Sequence, residues 1–312
     1  MPELPEAELW RRHLRLVLAG RRVAGFASSQ PGFVRAPLRD PHGLAVAVAG
    51  RTVTDVERRG KRLLFRLDDE ASIMLGMGLW VRLELRSAPL QPLAGAEIEF
   101  GRAPEPAAGP VTADPHAGPA TACPSAGPGA LLSASASEPS AAPAGALPYA
   151  SLFLAITEIA LANVRLGPYE PPAEPPPFDA LDPRLDGLRL AVLGAARTTV
   201  KAFLTDDRYV LGVGNGYSDE LLWHARVHPR RPCGSLSRQE WAAVAEALRA
   251  VLTAALDAGG EEGFVGPCGR VGTYARPIHH HGGEPCPRCG SPLGSLTAGR
   301  RETNFCPVCQ PL

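Results

Sequence analysis

Cys286-Pro287-Arg288-Cys289, then sixteen residues, then Cys306-Pro307-Val308-Cys309: the reading of this C-terminal stretch decides how the rest of the chain is read. Two Cys-x-x-Cys pairs at this spacing match one structural zinc held tetrahedrally by Cys286, Cys289, Cys306 and Cys309. With sulfur at every position, no coordination site is open for catalysis, and the metal stabilises a small module. Between the pairs lies Gly299-Arg300-Arg301-Glu302-Thr303, which falls at the tip of a zinc hairpin. An exposed tip arginine suits a phosphate or a groove, and a solvated turn accounts for it equally well. Just upstream, His279-His280-His281 is read as loop, because adjacent residues cannot all face one ion.

Composition sets the frame. The chain has 312 residues and zero formal net charge. That length allows two domains and a small third, and neutrality means that bulk charge does not announce a nucleic-acid partner. The distribution is less neutral: bases outnumber acids in residues 1–86 and again from Gly263 onward. A positive groove between domains fits this, as does solvated surface arginine. Seven cysteines, an odd number that includes a metal-type cluster, fit a reducing compartment better than a disulfide framework. The N-terminus carries acids and no apolar leader core, and no stretch approaches the ~20 apolar residues of a membrane span. The expected location is the cytoplasm.

Pro5 to Ala19 reads as a helix, punctuated by proline at its start and Gly20 after its end. Short β-branched and apolar runs follow at 23–26, 52–56, 63–67, 72–75 and 80–85, separated by turn residues. Residues 87–146 are dominated by Ala, Pro, Gly and Ser, too poor in apolar mass to offset their ordering entropy, and are expected to be a disordered insertion. Strand character returns at 151–157, and a proline-rich linker covers 168–177. From Phe178 to Ala258 the pattern is helical, with one helix periodicity spanning Leu185–Leu204, another helix opening at Ser218-Asp219-Glu220, and a capping box at Ser237–Glu240. The expected fold is α+β and multidomain. It comprises an N-terminal β-sandwich domain with one leading helix (1–167), a helical domain (178–260) and a zinc-finger hairpin domain (264–312).

Chemistry concentrates at Met1-Pro2-Glu3-Leu4-Pro5-Glu6. If Met1 is removed, Pro2 carries a free secondary amine with a pKa near ~8, partly neutral and nucleophilic near neutral pH. Attack on an aldehyde-like carbon then gives an iminium, the covalent logic of a lysine Schiff base. Glu3 beside it is placed to act as acid or base. The same prolines also suit a plain helix start. The chain has only two lysines, Lys61 and Lys201, among many arginines, and a retained lysine suggests a need for a compact point charge. In Gly212-Val213-Gly214-Asn215-Gly216, backbone N–H groups and the Asn215 amide are expected to converge on a phosphate at a helix start, with an interhelical turn as the plainer reading.

Together these stretches resemble the bacterial formamidopyrimidine-DNA glycosylase / endonuclease VIII family. The likeness is carried by Pro2–Glu6, by Arg59-Gly60-Lys61 before a strand, by Val200–Pro229, which looks like a helix–two-turn–helix, and by the zinc finger ending in Gln310. The resemblance implies a bifunctional enzyme acting as a monomer on damaged double-stranded DNA in base excision repair. Pro2 would attack C1′ of a flipped nucleotide, Glu3 would move protons, and β/δ-elimination would nick the strand. Lys61, Asn215 and Arg301 would bind the phosphates beside the lesion, and Met77 would fill the gap left by the flipped base. The chain departs from the family pattern where a common histidine is Met74. The Asp-Pro-Arg-Arg-Phe-Gly motif that supplies two further fillers is also missing, its counterpart being Ala162-Asn163-Val164-Arg165-Leu166-Gly167. Two rivals remain open: a protein of this fold that binds damaged or abasic DNA without turnover, and a zinc-ribbon nucleic-acid adaptor.

Overall fold

Leu4, Trp10, Leu14 and Leu18 recur along one helix, yet they do not enter one core. A computed structural model of the chain describes all residues except 1, 31, 36–37, 79, 102–150, 161–162, 169–176, 195–197 and 299–300. In it the first helix, α1 (Leu4–Leu18), is opened by a reciprocal Glu3/Glu6 capping box with proline in its first turn. The elements β1 (Val23–Ser28), α2 (Pro41–Val48), β2 (Val53–Arg59), β3 (Arg62–Leu67), β4 (Ala71–Gly76), β5 (Trp80–Arg86), β6 (Gly95–Phe100), β7 (Leu152–Ala160) and β8 (Asn163–Pro168) follow. They form two antiparallel four-stranded sheets, ordered β1-β6-β7-β5 and β2-β3-β4-β8. Phe65 and Phe100, one from each sheet, meet at 6.5 Å between ring centres, inside a core that also takes Trp10, Leu14 and Leu18. The expected sandwich with a leading helix is therefore present.

The helical region contains β9 (Phe178–Asp179), α3 (Gly187–Leu193), α4 (Val200–Leu204), β10 (Val210–Leu211), α5 (Asn215–His224) and α6 (Arg238–Asp257). Its core of Val213, Tyr217, Leu221 and Leu248 includes Leu4, which α1 contributes from the other domain. The hairpin β11 (Gly294–Ala298) and β12 (Arg301–Phe305) closes the chain. It packs on Trp223 and Ile278 through Cys286, Leu293 and Cys306.

Several expectations change. The stretch read as an insertion from residue 87 includes β6, whose strand lies between β1 and β7. Gly95-Ala96-Glu97-Ile98-Glu99-Phe100 alternates as a strand does, and the low-complexity composition around it masked that alternation. The rest of the expected insertion, from residue 102, and the linker at 169–176 lie outside the described residues. A short helix, α2, interrupts the strand-rich region and is capped by Asp40, whose carboxylate accepts from Gly43 N at 2.6 Å. The 185–204 periodicity resolves into two helices, and Leu188 and Val192 face solvent while Leu190 faces the core. Cys268 is disulfide-bonded, against the expectation that the cysteines fit a reducing compartment better than a disulfide framework.

Arg58 ties the domains from a second direction. Its Nε donates to Glu8 Oε2 of α1 at 2.8 Å, and its Nη1 and Nη2 clasp Asp179 of β9 at 2.7 and 2.9 Å. Asp179 also accepts from Gly60 N at 3.2 Å, so the β2–β3 turn is held by the start of the helical domain. Burial alone would raise the Glu8 carboxyl, but Arg11 and Arg58 overcome it and hold the pKa down at about 2. Removing one partner of a buried charge pair strands the other, at a cost of about 3–5 kcal/mol. Arg58→Met is therefore expected to destabilise the chain by about 3 kcal/mol in denaturant unfolding. A loss below ~1 kcal/mol would contradict the role of this pair as an interdomain tie.

Candidate active site

The centre of the site is the start of α5. Gly212 has φ +98°, a conformation that side chains rarely adopt, and a Cβ there would lie 2.5 Å from Leu4 Cδ1 and 3.1 Å from Gly60 Cα. Only glycine lets the α1 start, the β2–β3 turn and this loop meet. Two residues on, a Cβ on Gly214 would fall 2.1 Å from the Glu3 carboxyl carbon. In that space Gly214 N donates to Glu3 Oε2 at 2.8 Å and Gly216 N donates to Glu3 Oε1 at 3.0 Å.

This corrects two expectations. The group held by these backbone N–H donors is the chain's own Glu3 carboxylate rather than a phosphate, although the physics is that of any anion at a helix N-terminus. Ser218 does not cap the helix: α5 begins at Asn215 with Gly214 as N-cap, and Ser218 Oγ donates back to Asn215 O. Glu3 supplies the capping acceptor from outside the helix.

A second buried carboxyl lies alongside. Glu6 accepts from Tyr217 Oη at 2.7 Å, from Glu261 N at 2.9 Å and from Glu3 N at 2.8 Å. Burial raises its pKa against these bonds. Through Glu261 the segment after α6 folds over the site, and Arg276 fastens it: the guanidinium pairs with Glu261 and lies 5.8 Å from the centre of the Tyr217 ring. Glu220, on the inner face of α5, accepts from Ile278 N at 3.0 Å and His279 N at 2.9 Å. Burial pushes its pKa up to about 7, and its Oε2 has no hydrogen-bond partner among the described residues.

The remaining residues singled out in the sequence lie just before α1, in the β2–β3 turn, just after β4, on α5 and on β12. Pro2 is buried immediately before Glu3. Lys61 is half-buried in the β2–β3 turn, and its carbonyl accepts from Met77 N at 3.4 Å just after β4. Met77 packs partly against the sandwich core. Asn215 Nδ2 donates to Glu302 O at 2.8 Å, which joins α5 to the zinc hairpin. Arg301, next in chain to Glu302, is exposed at the start of β12. The counterpart of the missing filler motif is not a free loop over residues 163–167: these form β8 against β4, Val164 is buried opposite Leu75, and Arg165 pairs in register with Met74.

The four cysteines converge. Their sulfurs lie within 4.8 Å of one another, with Cys286–Cys309 at 3.9 Å and Cys289–Cys306 at 3.4 Å. Tetrahedral Zn–S bonds of about 2.3 Å place sulfurs ~3.8 Å apart, so the set fits one structural zinc. Around it Trp223 Nε1 donates to Cys286 Sγ at 3.4 Å, and the Arg288 guanidinium stacks 4.2 Å from the Trp223 ring centre. Gln310 reaches back to Val227 O at 2.9 Å. The metal knuckles are thus fixed to the far end of α5, the helix whose near end holds Glu3.

Residues 1–103 match the formamidopyrimidine-DNA glycosylase N-terminal domain, 179–264 the H2TH domain of the same enzymes, and 283–312 the zinc finger found in FPG and IleRS. The formamidopyrimidine-DNA glycosylase of Alkalilimnicola ehrlichii is 34% identical over 99% of this chain and 100% of its own length. That of Moorella thermoacetica is 32% identical over 94% and 93%. The chain belongs to the formamidopyrimidine-DNA glycosylase family. Among solved members, the MutM (Fpg) protein of Thermus thermophilus superposes with TM-score 0.70 at 25% identity over 99% of this chain and 98% of that one. The Lactococcus lactis Fpg complex with abasic-site DNA shares the fold with TM-score 0.71 at 21% identity over the full length of both.

Within this family member, sequence reasoning passed over Glu6, Tyr217, Asp219, Glu220, Glu261 and Arg276 as components of the site. Asp219 and Glu220, expected at the opening of a helix, lie within α5, and both are buried and bonded to the segment before the zinc hairpin. Two adjacent acids directly before the apolar run Leu221-Leu222-Trp223 are the available signal.

A raised carboxyl pKa means that the folded state holds the proton more tightly than the unfolded chain does. Stability from Glu220 is therefore full below pH 4.5 and is lost as pH rises through about 7. Glu220→Gln keeps the shape of the neutral acid and removes that loss. Its stability relative to the native chain is expected to increase between denaturant unfolding at about pH 5 and at about pH 8. An identical difference at the two pH values would contradict the buried neutral acid.

Proposed function

We propose that this chain is a bifunctional DNA glycosylase of base excision repair, excising oxidised bases and then cleaving the strand as an apurinic/apyrimidinic lyase. The observation that carries the reading is the position of Pro2. It is buried where α1 crosses between the two cores, beside a Glu3 carboxylate held by Gly214 N and Gly216 N. A nucleophile and a proton carrier are thereby fixed together on rigid elements, as geometry-dependent catalysis requires.

The chemistry follows from these two groups. Once Met1 is removed, the free Pro2 amine attacks C1′ through its nitrogen lone pair and gives up its N–H proton, the glycosidic C–N bond breaks, and the base leaves with a proton. Ring opening gives an iminium between Pro2 and the sugar, with Glu3 moving protons at the ring oxygen. The iminium acidifies C2′–H. Loss of that proton expels the 3′-phosphate, and a second elimination expels the 5′-phosphate. Lys61 on the β2–β3 turn, Asn215 on α5 and Arg301 on β12 hold the backbone phosphates, while Met77 fills the space of the extruded nucleotide. Val164 is buried in β8, and Met77 is the filler in this reading. The Lactococcus lactis neighbour bound to abasic-site DNA supports damaged duplex DNA as the partner. The enzyme works as a monomer on the bacterial nucleoid. No helix among the described residues is long and apolar enough to cross a membrane.

A non-catalytic damaged-DNA binder on this fold is the rival. Incubation with an abasic duplex and borohydride separates the two. The enzyme is expected to leave a covalent adduct whose mass places the sugar on Pro2, and Pro2→Ala is expected to reduce it by ~100-fold or more. A wild-type protein that binds the duplex without forming an adduct would establish the rival instead.

A further inference from the structure

Lys201 and the histidine triplet were both conspicuous in the sequence, and neither is absorbed by the mechanism above. They meet at one carboxylate. Lys201 Nζ, from α4, pairs with Asp219 Oδ1. His279 Nδ1, from the segment that leads into the zinc finger, lies 2.7 Å from Asp219 Oδ2, and Asn304 N of β12 donates to the same oxygen at 3.3 Å. All three side chains are shut away from solvent, with relative side-chain exposures of 3% for Lys201, 0% for Asp219 and 3% for His279.

His279 is itself held. Its backbone N–H is bonded to Glu220, its ring lies 3.9 Å from that of His280, and His280 N donates to Asn304 Oδ1 at 2.8 Å. The triplet is therefore no plain loop: its first residue faces inward and completes a buried network drawn from four segments. Asp219 stands one helical turn from Asn215 on α5, the helix whose N-terminus binds Glu3. The Glu3 carboxylate and the Arg301 guanidinium both act electrostatically on the Lys201 ammonium. Burial pulls the lysine pKa down, and Asp219 and Glu3 push it back up.

We propose that His279 and Asp219 are positioning residues for Lys201: the imidazole fixes the carboxylate, the carboxylate fixes the ammonium, and the ammonium stands as a rigid cation beside the Pro2–Glu3 centre. An ammonium on a flexible four-carbon stem has little preferred direction of its own. Asp219 gives it one, and a carboxylate bonded at its other oxygen by His279 cannot swing away. Networks of this kind are worth more than the sum of their pairs, because each bond orients the next. The inference rests on the covalent reading of Pro2.

The test is a double-mutant cycle on the zinc-loaded full-length enzyme, read as kcat and KM for nicking an abasic-site duplex. His279→Leu, which removes the Nδ1 partner, is expected to lower kcat by ~10-fold or more with little change in KM, since the lesion is aligned rather than bound less tightly. His279→Asn, which returns a donor near the Nδ1 position, is expected to recover most of that loss. In a Lys201→Met background His279→Leu is expected to have almost no further effect, because its route of action is gone. Additive losses in the two backgrounds, a loss confined to KM, or an Asn variant as impaired as the Leu variant would each overturn the proposal. Should the Leu variant fail to retain zinc or to fold, His279→Gln, which shifts the donor off Asp219 while staying polar, carries the same cycle with the same criteria. A wild-type enzyme that nicks with an additive cycle defeats this inference alone; one that does not nick at all defeats the lyase reading and this inference with it.

Discussion

One carboxylate closing the start of one helix is the constraint on which the rest depends. The first N–H groups of a helix have no partner within it, and each requires an acceptor. In α5 two of them are satisfied by Glu3, a residue more than two hundred positions away in the chain and attached to the other domain. The bond pair does two jobs with one set of atoms. It completes the helical domain, and it places the chain terminus at the junction of two cores.

The surrounding glycines follow from the same requirement. Gly212, Gly214 and Gly60 leave the room that lets Leu4, Glu3 and the β2–β3 turn approach the α5 loop, where any side chain would collide with them. Charge is then arranged in layers around the joint. Arg58 holds Glu8 and Asp179 at the base of α1; Glu6 sits under Tyr217; Arg276 pairs with Glu261 above. Glu8, Asp179 and Glu261 each face an arginine, while Glu3 and Glu6 are held by N–H and O–H donors instead, because a buried carboxyl needs such partners. The zinc module joins the same helix at its other end, so the cysteine cluster, α5 and the Pro2–Glu3 segment form one series.

Much of this was legible in the sequence where the signal is local. The cysteine spacing, the short strands before residue 86, the helix over 5–19 and the capping box at Ser237 depend on neighbours in the chain, and the structure has them. What was hidden depends on distant partners. Nothing near Gly214 reveals that its anion comes from residue 3, so a phosphate was the natural expectation. Asp219 and Glu220 look like surface acids until the 278–279 segment covers them. Strand β6 was lost because its alternation is embedded in an Ala/Pro-rich background, and α2 because eight residues give periodicity too little length to show. Lys201 was weighed as a point charge, but its carboxylate lies eighteen residues on and the imidazole behind it sixty residues further.

The central claim is that the Glu3 carboxylate, rather than solvent or a bound anion, caps α5. Amide hydrogen exchange at Gly214 and Gly216 in the DNA-free protein tests it directly, comparing the native chain with Glu3→Ala. The account expects both amides to be protected in the native chain and to exchange at least ~10-fold faster in the variant, while amides in the interior of α6 keep their rates. Unchanged exchange at these two glycines would contradict it.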